Sequence, residues 1–416
     1  RGLNNNRKLP ARSHQYFRDC LNMLLPDFDT PVQREATASL KFDGRQQVFG
    51  RADVNPLWVA DMDFASPDCI QAAIAERNQH PVYGYSLLPE SFYQSVIDWF
   101  ATRHHWQIER EWIVAAPGVV SSLHAACLAF AGEGEGVIIQ PPVYYPFLGA
   151  IQKTRRQALL NPLQLTADGY CMDFQQLEEI ARDARVLMLC SPHNPVGRVW
   201  RREALLQLLD IARRNDLYII SDDIHADLVF SESKHTMLAS LGEGFEEYLA
   251  DRVITAVSPN KSFNIPGLGL SCLIIPNADC RKKIQSAYDL IAANYANPLS
   301  LVAFTAAYQQ GAPWLDALLK YLQGNRDFVL NSIRQELPML KAGQSEGTCL
   351  MWLDCGALHL DDATLHAFMI NNCGVGLSPG RQFGEQGSGF MRLNIGTQRA
   401  RLADALSAIK AGIQAR

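Results

Sequence analysis

The stretch Val253-Ile-Thr-Ala-Val-Ser-Pro-Asn-Lys261-Ser-Phe-Asn-Ile-Pro-Gly-Leu-Gly269 joins an apolar, β-branched run to a Gly/Pro-broken loop headed by a lysine. Such a run reads as a buried strand, and open α/β sheets hold their ligands just outside the carboxyl ends of such strands. Two upstream stretches repeat the arrangement: Val186-Leu-Met-Leu-Cys-Ser-Pro-His-Asn194-Pro-Val-Gly197 and Leu217-Tyr-Ile-Ile-Ser-Asp222-Asp-Ile-His225. An amine, a carboxylate and an amide then converge on one crevice. Each has a plain reading alone: a lysine is usually a solvated charge, Asp222 can cap a turn, and Asn194-Pro195 can punctuate one. Their order and shared strand-end placement favour the joint reading.

Working outward, helical and strand patterns alternate from Ser66-Pro67, which reads as a helix start with proline in the first turn. Helical spacing covers Pro89 to His105, Gly118 to Ala131, Met172 to Asp183 and Arg201 to Asn215. Short β-rich runs lie at Val137 to Ile139, Val186 to Cys190, Tyr218 to Ile220, Val253 to Val257 and Cys272 to Ile275. This alternation predicts an α/β fold with a mainly parallel sheet and helices on both faces. Beyond Asp279 come two long amphipathic stretches, to about Tyr295 and then Pro313 to Leu337. They lead to Thr348 to Asp354, a helix at Asp361 to Asn371 and the strand-like Phe390 to Ile395, the pattern of a smaller α+β domain. The expected division is an arm at 1–25, a segment at 26–65 joining the small domain, a large domain at 66–310 and a small domain at 311–416.

The 416 residues exceed one simple core, and 48% apolar with 19% charged content fits an ordinary globular protein. A formal charge of -5 gives no electrostatic reason to bind nucleic acid, so the expected ligands are small molecules. No signal peptide or bilayer-length apolar run is evident, and the 10 cysteines are scattered without metal-type spacing, which points to a reducing cytoplasm. His104-His105 and Asp61-Met-Asp63 lack partners at ligand spacing, so no metal is expected; the two aspartates are expected near a substrate mouth. Ser258-x-x-Lys261 also fits a serine acyl-enzyme signature, but the companion Ser-Asp-Asn and Lys-Thr-Gly elements are missing. Gly132-Glu-Gly-Glu-Gly136 precedes a strand instead of following one, so it is a connector and not a dinucleotide loop.

Pyridoxal phosphate needs an amine for its aldehyde, an anion beside its ring nitrogen, a donor to its phenolate and an anchor for its phosphate. Lys261, Asp222 and Asn194 supply the first three, and His225 can support either Asp222 or Asn194. Gly118, Val119 and Val120 form a glycine turn running into a helix, whose free amides and dipole favour an anion. Ser258 adds a hydroxyl. Pro141-Pro142-Val143-Tyr144-Tyr145-Pro146-Phe147 supplies a stacking ring, with Tyr144 preferred although spacing barely separates it from Tyr145.

With Asn194-Pro-x-Gly, Ser-Asp222-x-Ile-His and Ser-x-x-Lys261 in this order, the chain resembles the fold type I pyridoxal phosphate enzymes of the aspartate aminotransferase superfamily, from roughly Phe28 onward. Within it the chain is similar to the MalY/PatB cystathionine β-lyase group, through Trp58-Val-Ala-Asp-Met-Asp-Phe64, Tyr83-Gly-Tyr-Ser86 and Ser-Asp-Asp-Ile-His-Ala-Asp-Leu228. Arg34-x-x-Thr37-x-Ser39-x-Lys41-Phe-Asp43, just after Phe28-Asp29, adds to the likeness. The resemblance implies a large domain with a seven-stranded, mainly parallel sheet and a smaller α+β domain. It makes Lys261 the covalent lysine, Asp222 the pyridinium partner, Asn194 the phenolate donor and Tyr144 the stacking and catalytic ring. Asn194, Tyr144 and Arg392 would bind substrate, Arg392 by gripping its α-carboxylate. Tyr85 would reach the phosphate of a neighbouring subunit, which implies a homodimer with sites at the interface. One position departs from the superfamily: Gly269 stands where many members carry a phosphate-binding cation, which shifts the grip to backbone amides.

The implied reaction is β-elimination of cystathionine or a related S-substituted cysteine to thiol, pyruvate and ammonia. Transamination uses the same lysine and is the alternative. The group also includes a member that modulates a transcription activator, so a regulatory protein partner is a third reading.

Overall fold

The central strands form where the sequence is continuously apolar. In a computed structural model of the chain, residues 26–293 and 297–416 are described; the arm expected at 1–25, Cys20 and the helix end expected at Tyr295 lie outside them. Seven strands make the main sheet: β1 (Ile113–Ala116), β2 (Gly136–Ile139), β3 (Gln157–Leu160), β4 (Ala184–Cys190), β5 (Tyr218–Asp222), β6 (Val253–Val257) and β7 (Ser271–Ile274). Their order is β1-β7-β6-β5-β4-β2-β3, with only β7 antiparallel to its neighbours. β6 is buried at every residue, as a strand covered by helices on both faces must be.

Successive side chains leave a strand on opposite faces. Val186, Met188 and Ile220 join Leu123, Phe147 and Ile284 in the core on one face of the sheet. Leu187, Leu189 and Ile219 pack with Leu177, Leu205 and Leu208 on the other. The register sets Cys190 beside Asp222 and Asp222 beside Ala256, so the polar tips emerge from three adjacent strands, β4, β5 and β6.

A four-stranded antiparallel sheet follows, ordered Lys341–Ala342, Leu350–Asp354, Phe390–Asn394, Ser378–Pro379, with Trp352 opposite Arg392. Its Leu350, Leu353 and Leu393 share one core with Phe92, Val96 and Ile274, so apolar packing runs on between the two sheets. The N-terminal segment pairs here as well: Asn55–Pro56 lies parallel to Val375–Gly376, and Leu57 O accepts from Asn394 N.

An ionic cluster holds the stretch before the first long helix. Lys41 is 0% exposed, and its Nζ donates to Asp63 Oδ1 at 2.9 Å and Asp61 O at 3.1 Å. Arg34 donates to Asp63 Oδ1 at 2.8 Å, pairs with Asp61, and donates to Met62 O at 3.0 Å.

Local details differ from expectation. Pro67 is itself the N-cap of the helix Asp68–Asn78, with extended backbone, and so stands one residue before the first turn; Ser66 does not cap. The helix Pro298–Gln310, begun by an Asn297 side-chain cap, and the short strands β1 and β3 carry too little periodic pattern to have been anticipated. β3 is only half-buried, so no continuous apolar run marks it. No helix among the described residues is long and apolar enough to cross a membrane, and the described cysteines are free thiols.

Candidate active site

Outside the carboxyl ends of β4, β5 and β6 lies a cavity of ≈ 330 Å³ walled by Lys261, Asp222, Asn194, His225, Tyr144, Gly118, Val119 and Val120. Ligand cavities start at about 300 Å³, so this one suits a single small aromatic ligand. Eight residues expected from the sequence thus meet in one place. Ala60, Cys190, Asn260 and Pro266 are among the other residues of the wall. None was singled out from the sequence: Cys190, Asn260 and Pro266 come as chain neighbours of the expected groups, and Ala60 from a distant segment.

Gly118 N-caps the helix Val119–Phe130, so the first amides of that helix open into the cavity. With the dipole of a 12-residue helix behind them they form an anion seat. Gly269 closes this end. Its backbone is at φ 68°, ψ -134°, a region costly for any residue with a Cβ, and an added Cβ would lie 3.3 Å from Pro117 O. The glycine fits this backbone, whose shape disfavours a side chain here. Asn260 Nδ2 also donates to Gly269 O and fixes that shape.

Ser258 does not reach the wall. Its Oγ donates to Leu270 O at 3.0 Å and accepts from Asn260 N at 3.2 Å. Tyr144 faces the cavity while Tyr145 is 51% exposed, and Tyr144 N donates to Asn194 O at 3.0 Å. Tyr85 lies apart from this wall, 99% exposed in the loop between two helices.

Arg392 comes from the other sheet and is 4% exposed. Its Nη1 donates to Asn194 Oδ1 at 3.0 Å, its Nη2 to Trp58 O at 2.9 Å and to Ser378 Oγ at 3.3 Å, and its guanidinium carbon sits 4.7 Å from the Phe383 ring centre. Nε has no partner, so one donor of the fork stays available. With Asn194 Oδ1 accepting from Arg392, the Asn194 amide NH2 is left to donate to a ligand.

Burial governs the charges. It pushes the Lys261 amine down, Arg392 pushes the same way, and Cys349, Asp61 and Asp222 oppose them. Burial lifts Asp222 to about 7 against the N–H bond from Ile224, with Asp223 raising it and Lys261 lowering it. Burial, then Lys261 and Arg392, drive His225 down to about 3, so its ring is neutral, and Nδ1 is buried with no partner. Desolvation takes Arg392 down to about 10, which still leaves it a cation at neutral pH.

These residues fit pyridoxal phosphate. Lys261 would hold its aldehyde carbon, Asp222 its ring nitrogen, Asn194 and the orphaned His225 its phenolic oxygen, and the helix amides at 119–121 its phosphate. Among the described residues, no group of three or more His, Cys, Asp or Glu side chains is placed to hold a metal ion.

Comparisons with known proteins agree with this geometry. Residues 53–409 match the family model "Aminotransferase class I and II". Cystathionine beta-lyase PatB of Bacillus subtilis (strain 168) is 39% identical over 93% of this chain and 100% of its own length, and Protein MalY of Escherichia coli (strain K12) is 35% identical over 94% and 99%. Among solved structures, cystalysin from Treponema denticola, which contains a pyridoxal 5'-phosphate cofactor, superposes with a TM-score of 0.91 at 34% identity, covering 94% of this chain and 100% of its own. With the family model spanning most of its length and these relatives aligned nearly end to end, the chain belongs to the aminotransferase class I and II family, in the group that includes PatB and MalY.

Proposed function

We propose that the chain is a pyridoxal phosphate-dependent carbon–sulfur β-lyase that converts cystathionine or a related S-substituted cysteine to thiol, pyruvate and ammonia. The observation that carries it is the meeting of Lys261, Asp222 and Asn194 at one cavity, with Arg392 bonded to Asn194 just behind the wall, in a chain whose relatives include PatB, named a cystathionine beta-lyase. When bound, pyridoxal phosphate supplies the electron sink that stabilises a carbanion at Cα.

The chain's own groups do the rest. Arg392 holds the substrate α-carboxylate through the N–H that Asn194, Trp58 and Ser378 leave open, which fixes the Cα–H bond relative to Lys261. The Lys261 amine, shifted by burial toward neutrality, removes that proton as general base. Asp222 would pair with the ring nitrogen and keep it protonated, Tyr144 would stack on the ring, the C–S bond at Cβ would break to release the thiolate, and water would hydrolyse the remaining enamine to pyruvate and ammonia.

Cystathionine offered without any keto acid and assayed for pyruvate tests the reading. Pyruvate release supports it; product formed only with a keto acid acceptor favours the aminotransferase reading, which the family description keeps in view. Val82, Tyr83, Tyr85 and Leu87 expose 61%, 55%, 99% and 90% of their surfaces in one loop, which supports a homodimer in which Tyr85 serves the partner's site. Sedimentation of the cofactor-loaded protein checks this. A regulator that bound Lys261→Ala as well as wild type would reveal a separate partner role.

A further inference from the structure

Behind the cavity wall lies a buried carboxylate that none of these roles uses. Asp227 Oδ2 accepts from Ser262 Oγ at 2.9 Å, while Oδ1 accepts from Trp99 Nε1 at 3.1 Å and lies 2.8 Å from His104 Nε2. Burial works to raise the Asp227 carboxyl, but the bonds from His104 and Ser262 outweigh it and hold the group below its ordinary value. The anion therefore persists in an apolar surround that includes Phe263 and Tyr308 beside Trp99.

Its position in the chain gives it reach. Ser262 is 0% exposed and directly follows Lys261. Asp227 ends the turn at 224–227 that leaves β5 after Asp222 and carries His225. One carboxylate thus ties the lysine loop to the turn bearing the other cavity groups. The alternate residues of that loop are pinned as well. Asn260 donates to Gly269 O, and Asn264 donates to Met62 O at 3.0 Å and Phe64 O at 2.7 Å while accepting from Met62 N at 2.8 Å. Residue 260 is held by the loop's own end and residues 262 and 264 by two other segments, and Lys261 is left facing the cavity.

We propose that Asp227 is a positioning residue that sets the place of the Lys261 amine relative to Asp222 and His225, acting through the Ser262 hydroxyl. It rests on the lyase reading only in assigning Lys261 as the base. Displacements of about 1 Å at a reacting group cost up to about 100-fold in rate. A buried carboxylate serving stability alone would not transmit to that amine.

The test uses Ser262→Ala, which leaves Asp227 its bonds to Trp99 and His104, and Asp227→Asn, whose amide can donate to Ser262 Oγ and so keeps the link. Ser262→Ala is expected to lower kcat by about 10- to 100-fold with KM nearly unchanged, to alter the visible circular dichroism of the bound cofactor, and to speed amide exchange at 260–265 in the cofactor-free protein. Asp227→Asn is expected to retain most of all three. Wild-type circular dichroism and exchange in Ser262→Ala would overturn the proposal, as would a fall in kcat without faster exchange. Exchange in the cofactor-free protein needs no reaction, so a wild type lacking lyase activity would sink the lyase reading while leaving the anchor testable.

Discussion

Arg392 Nη1 donates to Asn194 Oδ1 at 3.0 Å, joining the second sheet to the loop after β4 at the edge of the cavity. The residue proposed to orient the substrate and the residue proposed to face the phenolate are therefore one unit. Neither can shift without moving the other.

Arg392→Lys replaces a fork that engages Asn194, Trp58 O and Ser378 with a single point charge. Losing one directed charge-assisted bond to the substrate carboxylate at about 1.5–3 kcal/mol gives an expected fall in kcat/KM of about 10- to 100-fold, carried mainly by KM. Steady-state kinetics on cystathionine measures it.

Asp222 is lifted from its ordinary 3.8 to about 7 by burial, so between those values the folded chain binds a proton that the unfolded chain has released. Linkage then makes stability fall as the pH rises through that window. In the cofactor-free protein, Asp222→Asn is expected to raise the melting temperature at pH 8, with the gain shrinking toward pH 4. Activity should be lost at every pH, because an amide cannot hold the ring nitrogen protonated. Thermal scans across pH, paired with assays of the loaded enzyme, separate the two effects.

Gly269→Arg restores the cation that many superfamily members carry at this place, but at φ 68° it imposes about 1–3 kcal/mol of backbone strain and crowds Pro117 O. Weaker cofactor binding and a lower melting temperature are expected. Fluorescence titration with pyridoxal phosphate would contradict this if the variant bound more tightly.

Lys41→Ala leaves Asp63, 2% exposed, with Arg34 as its one remaining cation. Breaking a buried pair costs about 3–5 kcal/mol; since Arg34 stays, about 3 kcal/mol is expected from denaturant unfolding, with reduced activity because Trp58 O, which Arg392 grips, lies in the loosened stretch.

Lys261, Asp222 and Asn194 were legible because central parallel strands are covered on both faces and write themselves as unbroken apolar runs, whose ends point to the cavity. The helix amides at Gly118 were legible for a similar local reason, a glycine ahead of a helical pattern. Arg392 came through resemblance, since the pairing of Trp352 with Arg392 that aims it depends on the register of a distant sheet. Ser258 shows the limit of spacing: it stands beside the lysine, yet its hydroxyl turns to Leu270 O. His104 and Asp227 are 123 residues apart, so nothing near His104 in the chain marks a carboxylate that only tertiary folding delivers.

The cluster of Lys41, Arg34, Asp61 and Asp63 places a structural duty far upstream of the reactive groups. A version of this polypeptide shortened past Arg34 would keep every group proposed to touch substrate and still give way beside the cavity rim, so expression designs that trim the leading segment for convenience should stop ahead of that arginine.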